Sequence, residues 1–314
     1  MDIQTQICLN PVFIIGSPRS GTSILARSLA HHSQLWASKE PRILADLYGY
    51  GRLEEALKAA KWFLEDLNVK RDEFLAYLGL GINTFFTDSS QGKRWIDHTP
   101  DCAFMGDVLV DMFPGASFIH ILRDGRRVVN SMVHFFDVPS NRLAAPPWGS
   151  HFGKACQTWR DHTEAAMDFC ARRPERCLTV VNEELVAAPV EGFRQVLQFL
   201  DTPYEEGPAN FFRTNRINSS FRVQASGQPD RSEYSEPWEG WSSEQRMIFY
   251  WEAGPTMIKY GLATKEEMDS LAGIDTDDVS EEAYKSLRLH VLSIARRLGK
   301  GEWGGQRHTN RPRK

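Results

Sequence analysis

The chain has 314 residues, of which 41% are hydrophobic and 25% are charged, and its formal net charge is −4. This composition is typical of a globular protein that is large enough to bury one sizeable core. A nucleic-acid-binding role is disfavoured because such proteins need a basic surface, and no apolar run of the sequence approaches the roughly 18 residues of a membrane span.

The start of the chain and its cysteines bear on the compartment. Asp2 and the polar residues around it argue against a signal peptide. The cysteines form an odd, scattered set without a C-x-x-C pair: Cys8, Cys102, Cys156, Cys170 and Cys177. We therefore expect a cytoplasmic protein in which the cysteines are reduced core thiols without disulfide or metal roles.

The first predicted elements are a buried strand over Val12–Ile15 and a helix over Ser23–His31. The polar loop between them leads directly into the helix N-terminus, where unpaired backbone N–H groups and the helix dipole favour an anion. Gly16 and Gly21 would let the backbone turn and come close to a phosphate group. The segment therefore predicts a phosphate-binding loop.

The kind of phosphate is restricted by what the loop lacks. Its glycine spacing matches the G-x-x-x-x-G-K-S/T loop of nucleotide triphosphatases, but Thr22 stands where that loop has Lys. The only cation inside the loop is Arg19. A loop for ATP hydrolysis is therefore disfavoured.

A helical insertion is predicted over about residues 44–92. The elements after the first helix are, in chain order, the strand Leu35–Ala37, the helices Leu53–Leu67 and Asp72–Phe86, the strand Arg94–Ile96 and the helix Ala103–Met112. We expect two helices in the insertion. Loops and insertions on a rigid scaffold commonly determine substrate specificity, so this insertion is a candidate substrate pocket or lid. The alternative is that its helices only pack against the domain.

A second strand followed by a helix carries another candidate anion site. The strand Phe118–Leu122 ends in Arg123, and the helix Arg126–Phe136 follows Asp124, a candidate N-cap. Ser131 lies eight residues after Arg123. Because ligands of open α/β sheets bind at the carboxyl ends of the strands, both side chains could bind one anion.

The rest of the chain continues the alternation of helices and strands, which supports one α/β domain. After an extended loop over Asp137–Ser150, we expect the helix Phe152–Arg172, the strand Cys177–Val181 and the helices Val190–Leu200 and Ser243–Tyr260. Glu281–Gly299 has the apolar stripe of an amphipathic helix, which would dock on its own domain or form a dimer contact. The basic tail to Lys314 is expected to be disordered.

The two motifs together resemble those of sulfotransferases that use 3′-phosphoadenosine-5′-phosphosulfate (PAPS). Residues 18–22 carry the P-R-S-G-T form of tyrosylprotein sulfotransferases and many bacterial sulfotransferases. The second motif keeps the family's Arg-x7-Ser spacing from Arg123 to Ser131. Shorter matches follow in the family's order: Glu40-Pro-Arg42, Asp97-His-Thr-Pro100, the segment Val180–Val186, and Arg216-Ile-Asn-Ser-Ser220.

The resemblance covers roughly residues 11–262. It implies a P-loop NTPase-like α/β fold with three α/β/α layers, a central parallel sheet, a helical insertion and an extra C-terminal helix. It also implies a sulfotransferase domain over residues 1–262 and a C-terminal extension over residues 263–314.

The resemblance further implies that the chain binds PAPS, with the 3′,5′-bisphosphate PAP as the product and no metal ion. Arg19 would stabilise charge on the leaving phosphate, and Arg123 with Ser131 would bind the 3′-phosphate. Arg216, with Ser219 or Ser220, would close over the nucleotide. The implied cofactor-binding residues are Ser17, Pro18, Arg19, Ser20, Gly21, Thr22, Ser23, Arg123, Ser131, Arg216, Ser219 and Ser220.

An acceptor hydroxyl or amine needs a base to remove its proton. Glu40 matches the catalytic glutamate of the tyrosylprotein enzymes, and Arg42 would orient Glu40 or the acceptor. His98 stands where the family has Lys, and a His is the base of the aryl enzymes. We favour Glu40 as base with His98 assisting the transferring sulfuryl group; the reverse assignment stays open. The implied substrate-binding residues are Glu40, Arg42, His98 and Thr99.

A second departure from the family pattern is Asn182, which stands where the family often has a Tyr near the adenine. Another residue would then stack on the base, and Trp238 and Phe221 are the candidates. The sequence does not distinguish between them.

The acceptor is not determined by these motifs. The negative net charge disfavours acidic peptides, so a small molecule or a carbohydrate is favoured as the acceptor, and a tyrosyl peptide is the other candidate. The assembly is expected to be a monomer or a homodimer. Two other functions are less consistent with the sequence. A P-loop kinase or phosphotransferase is disfavoured by the missing G-K-S/T, and a non-catalytic phosphoadenosine-binding protein by the intact Arg19, Glu40, Arg123 and Ser131.

Overall fold

A computed structural model describes residues 6–39, 41–49, 51–137, 148, 151–215, 236 and 238–273. The chain divides into two compact units. One comprises residues 1–124 and 158–222, and the other comprises residues 125–157 and 223–314. The predicted helix Glu281–Gly299, the basic tail and most of the loop Asp137–Ser150 lie outside the described residues.

The first unit contains a five-stranded parallel sheet in the order β2-β3-β1-β4-β5. Its strands are β1 (Val12–Ile15), β2 (Leu35–Ala37), β3 (Arg94–Asp97), β4 (Ser117–Leu122) and β5 (Cys177–Val181). Because all five strands are parallel, their carboxyl ends lie along the same edge of the sheet. The predicted central parallel sheet is confirmed.

Helices cover both faces of this sheet. On one face, Phe13 and Ile15 of β1 pack with Trp95 in a cluster that includes residues of the insertion. On the other face, Val12 and Ile14 pack with residues of the helices that follow β1 and β5. Successive side chains of a strand point to opposite faces, so a strand covered by helices on both sides must be apolar throughout. This explains why all four residues of β1 are fully buried.

The helices of the first unit are α1 (Thr22–Leu29), α2 (Ile43–Tyr48), α3 (Arg52–Ala59), α4 (Lys61–Asp66), α5 (Arg71–Ser89), α6 (Gly106–Met112), α9 (Asn182–Ala187), α10 (Pro189–Phe199) and α11 (Glu206–Thr214). The second unit contains α7 (Gly125–Val133), α12 (Ser243–Glu252), α13 (Gly254–Lys259) and α14 (Lys265–Ala272). The helix α8 (Phe152–Arg172) contributes residues to both units.

The insertion differs from its prediction. It contains the four helices α2 to α5 instead of two, and the predicted helix Leu53–Leu67 is interrupted at Ala60. Ala60 has φ −89° and ψ 2°, outside the helical range. The helix α2 was not predicted because its six residues are too few to show a helical period.

Two other predicted helices are also divided. The segment Ala103–Met112 comprises the end of a 3₁₀ turn over Pro100–Phe104, followed by α6. The segment Ser243–Tyr260 is divided at Ala253 into α12 and α13, and a proline lies in the first turn of α13. Proline is tolerated in a first turn but breaks a continuing helix, which accounts for this boundary.

The second unit is held together by aromatic side chains. Trp241 packs at 4.9 Å between ring centroids against Phe152, and its Nε1 donates to Asn130 Oδ1 at 3.3 Å. The hydroxyl of Tyr250 donates to Asp269 Oδ1 at 2.8 Å, which joins α12 to α14. These contacts connect α7 to α8 and α12 to α14 within this unit.

Candidate active site at the carboxyl edge of the sheet

The loop after β1 has an unusual backbone conformation. Gly16, Arg19 and Gly21 have φ values of 146°, 71° and 108°. A turn between them is closed by the N–H of Ser20, which donates to the carbonyl of Ser17 at 3.1 Å. Loops that alternate between the right-handed and left-handed regions orient successive N–H groups toward one point and bind anions there.

Both glycines are also required by space. A Cβ atom at Gly16 would lie 2.7 Å from the carbonyl oxygen of Ile121, and one at Gly21 would lie 2.8 Å from Nδ2 of Asn182. Both distances are shorter than any ordinary contact. Side chains at these positions would therefore clash with β4 or with the first residue of α9, as well as strain the backbone.

The N-terminus of α1 is suited to a negative charge. Its N-cap residue is Gly21, which has no side chain to accept from the first N–H groups, and its first turn contains no acidic residue. Ser17 and Ser20 are 1% exposed, whereas Pro18, Arg19 and Ser23 are partly exposed. The predicted loop residues are thus brought together at a helix N-terminus that favours an anion.

Arg123, at the carboxyl end of β4, contacts this loop. Its Nη1 donates to the main-chain carbonyl of Arg19 at 2.8 Å. Its own carbonyl accepts from Nε1 of Trp159 at 3.1 Å, which ties the strand end to α8. The sequence predicted Arg123 as a phosphate ligand but did not predict its contact with the loop.

Glu183 is a further residue that sequence reasoning missed. Its Oε1 lies 3.9 Å from Nε of Arg123 and accepts from the N–H of Asp124 at 3.3 Å. Burial raises the pKa of the Glu183 carboxyl group. The sequence placed Glu183 within the family match Val180–Val186 but gave it no role.

Polar side chains gather at the carboxyl ends of β2 and β3. His98 and Thr99 are 0% and 1% exposed, and Nε2 of His98 lies 3.2 Å from the carbonyl oxygen of Ser38. Among the residues that the structure describes, no hydrogen-bond partner exists for Nδ1 of His98, Oγ1 of Thr99 or Oγ of Ser38. Buried polar atoms normally have partners, so these atoms mark a place where a ligand or water would be bound.

Asp97, the last residue of β3, borders the same cluster. It is 1% exposed, and its Oδ1 accepts from the N–H of Thr99 at 2.8 Å. Burial raises the pKa of its carboxyl group, because the charged form loses its hydration. Asp97 therefore fixes the turn that carries His98 and Thr99.

Arg42 belongs to a polar network that the sequence did not predict. Its Nη2 lies 3.4 Å from Oδ2 of Asp101, and Oδ1 of Asp101 lies 3.4 Å from Nε2 of His162 on α8. Nδ1 of His162 is 2.8 Å from the carbonyl oxygen of Thr158. Arg42 is thereby held by a carboxylate that is itself attached to α8.

Several predicted residues are not placed at this site. Glu40, Arg216, Ser219, Ser220 and Phe221 lie outside the described residues. Ser131 is 6% exposed on α7 of the second unit. Trp238 also belongs to that unit, and the guanidinium of Arg126 lies 4.1 Å from the centroid of its ring. The assignments of these residues therefore stay predictions.

Membrane-spanning and metal-binding features were expected to be absent, and the part of the chain that the structure describes bears on both. None of its helices has the length and hydropathy needed to cross a membrane. Within the same residues, no group of three or more His, Cys, Asp or Glu side chains has the arrangement of a metal site.

Known sulfotransferases are similar in sequence to the part of the chain that contains this site. A sequence model described as the sulfotransferase family matches residues 11–206. The protein-tyrosine sulfotransferase of Drosophila melanogaster is 24% identical over 198 residues, which are 62% of this chain and 38% of that protein. The nodulation protein NoeE of Sinorhizobium fredii (strain NBRC 101917 / NGR234) is 30% identical over 144 residues, 43% of this chain and 34% of that protein.

The chain therefore spans little more than a third of the length of these two relatives. Among solved structures, mouse sulfotransferase SULT7A1 complexed with PAP aligns with a TM-score of 0.46 and 12% identity, over 86% of this chain and 89% of that chain.

Proposed function

The chain belongs to the sulfotransferase family, and from this premise we propose that it transfers the sulfuryl group of PAPS to a hydroxyl or amine acceptor. The observation that carries the proposal is the loop from Gly16 to Ser23. Its backbone has positive φ values at three residues, and it leads into a helix whose first turn contains no acidic residue, which favours an anion. Bound PAPS would supply the sulfuryl group and a phosphate as the leaving group. The protein's task is then to orient the reactants and to stabilise charge.

The 5′-phosphate would be held by the residues of this loop. Among the backbone N–H groups from Ser20 to Ser23, that of Ser20 closes the turn with Ser17. Those from Gly21 to Ser23 lie at the start of α1, where the helix dipole favours negative charge. Arg19 would stabilise the charge that develops on the leaving phosphate, because a guanidinium stays protonated at every relevant pH. No residue of this loop has to act as a nucleophile.

The 3′-phosphate would be bound by Arg123 and Ser131. The support for this pairing is the Arg-x7-Ser spacing in the sequence. The phosphate group at the 3′ position of the ribose distinguishes PAP and PAPS from ATP, so Arg123 would contribute to nucleotide selectivity.

The proton of the acceptor would be removed by Glu40, with His98 beside the transferring group. The carbonyl of Ser38 can only accept, so Nε2 of His98 carries a hydrogen. Nδ1 has no hydrogen-bond partner among the described residues, so it is available to a reactant. Donation from Nδ1 to a sulfuryl oxygen would assist the transfer, whereas acceptance from the acceptor hydroxyl would make His98 the base, which is the reverse assignment. Arg42 and Thr99 would orient the acceptor from the same edge of the sheet.

The acceptor would be a small molecule or a carbohydrate. The net charge of −4 supports this choice, because acidic tyrosyl peptides are repelled by a negative protein. A tyrosyl acceptor is the competing choice, because curated relatives include protein-tyrosine sulfotransferases.

Calorimetry with PAP and ATP, followed by sulfuryl transfer from PAPS, tests the proposal. We expect PAP to bind more tightly than ATP, with or without Mg²⁺. Arg19→Ala should lower kcat by about 10²- to 10³-fold, the usual effect of removing one donor that stabilises developing charge. The exposed Arg27 on the last turn of α1 provides the matched control, since Arg27→Ala removes the same charge outside the loop. Tight binding of ATP without affinity for PAP would contradict the proposal.

A further inference from the structure

The conformation of Arg19 needs support from outside its loop. Its φ of 71° lies in the left-handed region, which a residue with a side chain adopts rarely and keeps only where its surroundings hold it. The turn between Ser17 and Ser20 contributes one hydrogen bond from within the loop. The carbonyl of Arg19 is held by a second bond, from a residue 104 positions later in the chain.

That residue is Arg123, which donates from Nη1 to the Arg19 carbonyl at 2.8 Å. A hydrogen bond from a charged donor is stronger than one between neutral groups. The main chain of Arg123 is fixed in turn by the indole N–H of Trp159. Arg123 thus connects a rigid strand end to the most strained residue of the phosphate loop.

Glu183 sits behind Arg123. Its Oε1 is 3.9 Å from Nε of Arg123 and accepts from the N–H of Asp124 at 3.3 Å. Its Oε2 is buried and has no hydrogen-bond partner among the residues described. The carboxylate therefore contacts the segment that carries Arg123 at both the guanidinium and the N–H of Asp124.

The neighbouring residue on α9 also contacts the loop. A Cβ added to Gly21 would lie 2.8 Å from Nδ2 of Asn182, so the amide packs directly against the glycine backbone. Asn182 and Glu183 form the start of α9. Two consecutive side chains at this helix end thus contact the two anion motifs, one each.

We propose that Glu183 is a positioning residue for the phosphate loop: it orients the guanidinium of Arg123, which holds the Arg19 carbonyl and so keeps the loop N–H groups pointed at the 5′-phosphate. The inference rests on the proposed function for the identity of the nucleotide. It assigns Arg123 a role at the 5′ end in addition to its predicted role at the 3′-phosphate. It also explains an acidic residue beside a site for anions, where its own charge would otherwise be unfavourable.

The variant Glu183→Gln isolates the charge, because a glutamine oxygen can still accept from the N–H of Asp124. Glu184→Gln is the matched control, since Glu184 is the next residue of α9 and is exposed. Calorimetry would compare both variants with wild type for PAP, adenosine 5′-monophosphate and adenosine 3′-monophosphate. These nucleotides carry both phosphates, the 5′-phosphate alone and the 3′-phosphate alone.

We expect Glu183→Gln to weaken PAP and adenosine 5′-monophosphate by a similar factor, about three- to fivefold, as when a partly exposed ion pair is lost. Adenosine 3′-monophosphate should lose some affinity in Glu183→Gln, because its phosphate would also contact the Arg123 guanidinium, but less than adenosine 5′-monophosphate, whose phosphate depends on the whole loop. Glu184→Gln should leave both nucleotides unchanged. A loss confined to the two 3′-phosphorylated nucleotides would overturn the inference, because Glu183 would then act only on the 3′ site. An equal loss for all three, or no loss, would also overturn it.

Hydrogen–deuterium exchange without nucleotide separates this inference from the proposed function. Faster exchange of the amides from Ser20 to Leu25 is expected in Glu183→Gln and not in Glu184→Gln. Unchanged exchange in the first variant would refute the positioning role. If the wild-type protein binds no PAP and exchange is nevertheless faster in Glu183→Gln, the proposed function is contradicted and the positioning role is supported.

Discussion

His120 is a buried titratable residue under the phosphate loop. It lies on β4, pairs with Ile15 of β1, and its ring approaches Gly16, since a Cβ added there would be 3.6 Å from Cδ2. Its side chain is 0% exposed, and neither ring nitrogen has a hydrogen-bond partner in the described part of the chain. Burial lowers its pKa from 6.5 to about 4, because the imidazolium would lose its hydration.

This lowered pKa makes stability depend on pH. As the pH falls below 6.5, the unfolded chain binds a proton that the folded protein does not bind until pH 4 is approached. The free energy of unfolding should therefore fall by ~3 kcal/mol from this residue over that window. In His120→Leu this contribution is absent, so denaturant titrations from pH 7 to pH 4 should show a shallower decline than wild type.

Ile119→Val on the same strand is the control, because it removes one buried methylene and no titratable group. Its cost of about 1 kcal/mol should be the same at both pH values. A wild-type decline that His120→Leu leaves unchanged would show that other groups control the acid response.

At the scale of elements, two glycines on α5 have opposite surroundings. Gly79 is buried, and a Cβ there would lie only 2.0 Å from the carbonyl oxygen of Met112 at the end of α6. Gly81 is exposed, and an added Cβ would meet no atom within 4 Å. Glycine is unfavourable inside a helix, so Gly79 is explained by the close approach of the two backbones.

Gly79→Ala and Gly81→Ala should therefore change stability in opposite directions. The first should lower the free energy of unfolding by about 1–3 kcal/mol, because the new methyl group forces α5 and α6 apart. The second should raise it by about 0.5–1 kcal/mol through helix propensity. Chemical denaturation measures both, and equal effects of the two variants would contradict the packing argument.

The accuracy of the predicted elements follows from their length and burial. β1, β2 and β5 match the predicted strands residue for residue. For β1 the reason is that a strand buried on both faces is a continuous apolar run bounded by polar residues. Short helices such as α2 and α9 were not predicted, since each has only six residues. Breaks such as that at Ala60 depend on tertiary packing, which hydrophobic periodicity does not report.

At the scale of the whole molecule, net charge affects the choice of acceptor. The chain carries 41 acidic and 37 basic residues, so an acidic peptide would be repelled and an uncharged acceptor would not. Repulsion between exposed charges is screened by salt.

Activity at two ionic strengths tests this expectation. Between about 20 mM and about 300 mM salt, kcat/KM for an acidic tyrosyl peptide should rise relative to that for an uncharged phenol. Taking the ratio removes any effect of salt on PAPS binding, which both reactions share. A ratio that falls with salt would indicate a local basic surface for peptides and would favour the tyrosyl acceptor.

The sequence alone was sufficient for the strand, loop and helix of the first motif, because glycine positions, apolar runs and helix starts are local properties of neighbouring residues. It also placed Arg123 at the end of a strand. The strand order, the contact of Arg123 with the Arg19 carbonyl, the position of Glu183 behind it and the network from Arg42 to His162 were decided only by the tertiary structure. These contacts join residues that are 59 or more positions apart, and no local pattern encodes which distant side chains meet when the strands pair.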